Sequence, residues 1–76
     1  MKALELLETA VPNDVKRALI NQDMQMWRNT RFQAESRRRT YARIGNAEAT
    51  QAQEKILTEC EGALLDLEEQ LKEIEE

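Results

Sequence analysis

The feature that most constrains this chain is the apolar stripe of its last twenty residues. Leu57, Cys60, Leu64, Leu67, Leu71 and Ile74 recur at alternating spacings of three and four, the a/d seam of a helix that packs on another helix. Between them stand Glu59, Glu61, Asp66, Glu68, Glu69, Lys72, Glu73 and Glu75, side chains that require water. A helix of this kind buries one stripe and solvates the rest. It needs a partner, and the remainder of the sequence is long enough to supply one.

At 76 residues the chain is a single small domain, a size at which disulfides, a metal or association usually supplement the core. Cys60 is the only cysteine and there is no histidine, so an intrachain disulfide is excluded and a zinc site lacks its ligands. Association is what remains. The composition, 34% charged and 41% hydrophobic with two glycines and one proline, fits long amphipathic helices rather than disorder. No apolar run approaches the roughly 20 residues of a membrane span. Glu5 and Glu8 interrupt the apolar core that a signal peptide would need, and a lone thiol suits a reducing compartment. Cytoplasmic location is therefore the expectation, by elimination, with no membrane partner.

Residues 2–11 are strong helix formers with Leu4, Leu7 and Val11 roughly on one side. They read as a short N-terminal helix or arm that docks its leucines on the main body, because so short a helix is unstable alone. Pro12 ends it, and Asn13 and Asp14 are expected to cap the next helix. From there to residue 44 nothing breaks a helix. Ile20, Trp27, Ala34 and Tyr41 fall seven apart, and Met24 joins their stripe. A second row, Val15, Leu19, Met26 and Ile44, lies about 100° round the helix. The combined arc is wider than one partner helix can cover, and two neighbours are expected. Beyond Ala34 the arc thins, and Arg37 and Arg38 intrude on it.

Gly45–Asn46 is the one turn signal inside this helical region. Glycine suits the left-handed residue after a helix, and asparagine suits the next N-cap. A continuous helix would instead set the two apolar stripes about 160° apart, facing nearly opposite ways. A hairpin lets them meet. Folding there brings together residues whose numbers sum to about 91, so that Ile20 lies level with Leu71, Trp27 with Leu64 and Ala34 with Leu57. Arg17 is then level with Glu73, Arg31 with Glu59, Arg37 with Glu54 and Arg43 with Glu48. Residues 1–44 carry nine Lys and Arg against five acids, a net of +4, and residues 45–76 carry two against ten, a net of −8. Exposed pairs contribute only about 0–1 kcal/mol each and select the antiparallel register more than they stabilise it.

The expected architecture is therefore all-α: one domain over residues 1–76, with the arm at 2–11, helices at 13–44 and 47–76, and a coiled-coil-like antiparallel hairpin that assembles into a helical bundle. Ile20, Met24, Trp27, Leu57, Leu64, Leu67, Leu71 and Ile74 are the expected core of that assembly. Trp27 sits mid-stripe and reads as a core anchor rather than a ligand platform. Cys60, flanked by Glu59 and Glu61, reads as a small buried hydrophobe rather than a reactive thiol.

Catalysis has almost nothing to use. Without histidine there is no near-neutral acid–base group by default, and Ser36, the only serine, is set among arginines. The acidic run from Asp66 to Glu76 has no calcium-loop spacing and no Glu-x-x-His, so it reads as a solvated face. No cofactor or metal is expected. Six arginines, Arg28, Arg31, Arg37, Arg38, Arg39 and Arg43, crowd within 16 residues. Their plain reading is a solvated face that pairs with the acidic second helix. Arginine also recognises carboxylates and phosphates. Phe32 stands among them on an otherwise polar face, the composition of an interface anchor. Arg28, Phe32, Arg38, Arg39 and Arg43 are the candidate partner-binding residues. The function expected is a non-enzymatic structural or adaptor protein that binds itself and another protein. Two alternatives remain: a small nucleic-acid binder using the arginine-rich tip, which the net charge of −4 opposes, and an acidic inhibitor that mimics a polyanion on a basic partner.

Overall fold

The computed structural model describes residues 11–75, and the arm expected over 2–11 falls, Val11 apart, outside them. Two helices account for nearly all of it: α1, Asn13–Arg43, and α2, Ala47–Glu75. They pack along their lengths as an antiparallel hairpin. The cap of α1 differs from the expectation. Pro12, not Asn13 or Asp14, is the N-cap, and no side chain caps the helix. Extended backbone at Pro12 (φ −62°, ψ 152°) turns its carbonyl to accept the first helical bond from the Lys16 amide at 3.0 Å. Asn13 is thereby drawn into the helix, and Asp14 meets the positive end of the dipole from the first turn.

The connection is closed by backbone alone on one side and by a side chain on the other. Ile44 is the C-cap of α1 and Gly45 follows with φ +80°. The Gly45 amide donates to the Ala42 carbonyl at 3.2 Å and the Asn46 amide to the Tyr41 carbonyl at 2.9 Å, the bond pair of a Schellman motif. Asn46 then serves the next helix at once: its Oδ1 accepts from the Ala49 amide at 3.0 Å, an N-cap bond. Two residues thus stop one helix and start another.

Packing follows the register that the turn imposes. Met24, Leu64 and Leu67 form the buried cluster, with Ile20, Trp27 and Leu71 half-buried against it. Ala34 and Cys60 are buried farther toward the turn. Other polar groups settle within their own helix. Thr30, Thr40, Thr50 and Thr58 each donate their hydroxyl to the carbonyl four residues back, which lets a β-branched polar residue sit in a helix without an orphan group. Among the described residues no side-chain hydrogen bond joins an arginine of α1 to a carboxylate of α2.

The hairpin measures 56 × 24 × 15 Å. Its smallest dimension is close to the roughly 10–12 Å diameter of one helix with its side chains, so the structure is a single layer. No helix among the described residues is long and apolar enough to cross a membrane.

The two glycines give opposite expectations. A Cβ at either position would meet nothing within 4 Å, so only backbone conformation matters. Gly45→Ala should lower stability by about 1–2 kcal/mol, the cost of a left-handed L-residue. Gly62→Ala, in the exposed interior of α2, should raise it by about 0.5–1 kcal/mol. Urea midpoints moving in opposite directions check both.

Candidate interaction surfaces

A single helix–helix seam divides the slab into two broad faces, and the residues on each follow from helical geometry. At about 100° per residue, Leu19, Met26 and Thr30 project 80–120° to one side of the Ile20–Trp27 line, while Arg28, Phe32 and Arg39 project as far to the other. On α2, Ile56, Ala63 and Gln70 turn one way from the Leu57–Leu64–Leu71 line, and Glu54, Glu61 and Leu65 turn the other way. Antiparallel packing puts Leu19 and Ile20 in one groove with Gln70 and Ile74. It puts Arg28 and Arg31 in another with Glu61, Leu65 and Glu68. One face is therefore largely apolar and neutral overall toward the open end, where Lys16 and Glu73, of opposite sign, share its groove, with Arg37 on the same side nearer the turn. The other is laced with charge of both signs.

The neutral face carries the second apolar row of α1. Val15 is exposed, and Leu19 and Met26 are exposed by 54% and 51%. Beside them on α2 lie half-buried Ile56, Ala63 and Ile74. The structure supplies one of the two neighbours expected for α1, and that neighbour covers only the Ile20–Met24–Trp27 stripe.

On the charged face and at the turn end, the candidate partner-binding residues divide. Phe32, Arg38, Arg39 and Arg43 line one shallow concavity together with Glu35, Ser36 and Thr40. Arg28 lies instead in the groove between the helices, beside Leu65. Phe32 is 73% exposed; no element of the hairpin covers it. Leu65, exposed by 64%, is an apolar residue of this face that periodicity alone passes over, because it stands next to Leu64 and off the three–four spacing. Its signal is the same as that of Phe32: a large apolar side chain flanked only by polar positions of its own face.

Arg38 is the one member that does not sit freely in water. It falls four residues beyond Ala34 and three before Tyr41, an a/d position, and is half-buried there. Its Nε is shielded from solvent and has no hydrogen-bond partner. The seam is thus apolar toward the open end and polar toward the turn, where half-buried Thr50 and Gln53 of α2 are level with Tyr41 and Arg38.

Of the expected core residues, Met24, Leu64 and Leu67 are buried within the single chain, and Ile20, Trp27, Leu57, Leu71 and Ile74 are half-buried. Cys60 has no exposed surface. Burial pushes its thiol above the ordinary range, Glu59 adds to the shift, and Arg31 pulls against it. An inaccessible, protonated thiol is a packing residue. Among the described residues no group of three or more His, Cys, Asp or Glu side chains is arranged to hold a metal ion. No family model, curated protein or solved structure matches the chain.

Two measurements follow from these environments. Arg38→Met keeps the apolar stem and removes the orphan donor. It should stabilise the fold by about 1 kcal/mol, since a buried unsatisfied group costs about 1–3 kcal/mol, whereas Arg39→Met should change little. Because the folded thiol of Cys60 is shifted upward, the folded state holds its proton longer than the unfolded one. That contribution is fully present below the unfolded thiol value and lost as pH rises through the folded one. Stability should therefore decline on the alkaline side more steeply in the native chain than in Cys60→Ala, as denaturant titrations at neutral and alkaline pH would register.

Proposed function

We propose that this protein is a non-enzymatic structural or adaptor module that works through helix-mediated self-association and through binding another protein. The observation that carries the reading is the single layer. A helical domain gains its stability by burying faces between layers, yet the described residues form a slab of 15 Å with both faces open, Leu19 and Met26 being half-exposed on one and Phe32 and Leu65 exposed on the other. Exposed apolar patches framed by polar residues mark interaction sites.

The second surface supports the adaptor part of the reading. An exposed aromatic beside Arg39 and Arg43 offers an apolar anchor with cationic flanks, which suits an acidic protein segment with an apolar residue to bury. Arg38 gives this end of the hairpin a further distinction, because its unpartnered Nε is tolerated at a cost in stability. Residues that break a local rule without a packing gain concentrate where a surface is used. The same arginines keep the nucleic-acid reading in view, and the acidic outer surface of α2 keeps the polyanion mimic. Neither has an observation of its own beyond charge.

Sedimentation equilibrium of the full chain is expected to give a mass of at least two protomers at micromolar concentration; a folded monomer at high micromolar concentration would refute self-association. For the second surface, Phe32→Ala combined with Arg39→Ala should abolish binding of an acidic, apolar-anchored peptide while leaving helicity intact. If duplex DNA binds instead, with a salt slope that falls by roughly one counterion per arginine removed, the nucleic-acid reading replaces the adaptor one.

A further inference from the structure

We infer that the neutral face is covered by a second copy of this chain, docked about a two-fold axis parallel to the helices so that both turns lie at the same end. The inference rests on the self-association proposed above and specifies its geometry. Two hairpins can meet face to face with their turns together or with their turns at opposite ends. With turns together, α1 of one copy lies on α2 of the other. With turns opposed, α1 lies on α1 and α2 on α2.

Charge separates the two. Helix α1 carries eight Lys and Arg against three acids, a net of +5, and α2 carries two against nine, a net of −7. With turns together, every adjacent pair in the four-helix bundle joins a positive helix to a negative one, and like helices meet only across the diagonal. Adjacent axes are about 8–10 Å apart and the diagonal is nearer 14 Å. The screening length at physiological salt is about 8 Å, so the adjacent attractions outlast the diagonal repulsions. With turns opposed, two of the four adjacent contacts pair like with like. The basic turn end does not alter the preference, because Arg37 and Arg43 of one copy come level with Glu54 and Glu48 of the other.

Shape agrees with charge. The two-fold axis preserves height, so Met26 of one copy comes level with Ala63 to Leu67 of the second. Met26, half-exposed on this face of α1, meets α2 where small Ala63 leaves room, and Leu19 comes level with half-buried Gln70 and Ile74. The dimer buries the neutral face alone. Both Phe32–Arg39–Arg43 concavities stay outward and end up at one end of the bundle, so the assembly would be bivalent toward a partner.

The test places a nitroxide on the full chain at Glu48→Cys, in the exposed first turn of α2; buried Cys60 remains unlabelled in the folded protein. Mass and dipolar distance are then read on the same sample. A dimer with a distance below about 30 Å supports the arrangement, while a dimer above about 40 Å, close to the full length of a 29-residue helix, overturns it and leaves self-association standing. A monomer overturns both and assigns the face to another occupant, such as residues 1–10. Independently, Leu19→Glu with Met26→Glu should raise the dissociation constant at least tenfold, and Leu65→Glu, on the opposite face, should leave it within about twofold. The reverse pattern would move the interface to the charged face and overturn the inference. Should the double variant fail to fold, the distance on the singly labelled chain still decides.

Discussion

Packing of Met24 against Leu64 and Leu67, with Ile20, Trp27 and Leu71 closing round them, is the contact on which the rest of the structure depends. A helix of about 30 residues with one apolar stripe owes little of its stability to propensity and most of it to whatever covers that stripe. Here the covering element is the other arm of the same chain. Because the described residues form two arms, the contact between them is a line and not a volume. The consequence is a slab with few buried side chains, in which each helix shows half of its circumference or more to its surroundings.

That line contact depends in turn on two residues. Gly45 takes the left-handed conformation that no other residue adopts cheaply, and Asn46 receives the end of one helix while capping the beginning of the next. The brevity of the connection fixes the register. With so little slack, the arms cannot slide by a turn, and the apolar residues of α1 have only one set of α2 residues within reach. Among the described residues, cross-helix charges are not bound into hydrogen-bonded pairs. They act as a diffuse field favouring the antiparallel pairing, consistent with the small and screened contribution of exposed ions.

Along the seam the character changes. Toward the open end it is leucine, isoleucine, methionine and tryptophan. Toward the turn it is alanine, arginine, glutamine and threonine, with one guanidinium nitrogen left without a partner. The covalent turn holds the helices together at that end whatever fills the seam, which frees those positions from packing. The arginine-rich stretch sits at the end where the fold can tolerate it, and Phe32 stands clear of the seam on the same stretch.

By itself the sequence determined that the chain is helical, where it turns and which stripes face each other, because each rests on a local rule: the three–four spacing, the glycine–asparagine pair and the phase of two stripes about 160° apart. It also marked Phe32, as an apolar residue on a polar face. It misjudged the cap of α1, where the choice between Pro12 and Asn13 turns on one carbonyl. It did not reveal which broad face is neutral and which is charged, nor that Leu65 lies beside Arg28. Those facts belong to neither helix alone. They arise from the handedness with which two right-handed helices, running opposite ways, bring one flank of each to a common side. Only the tertiary structure could decide them, since a residue's angle on its own helix says how far it turns from the seam and not what stands next to it across the groove.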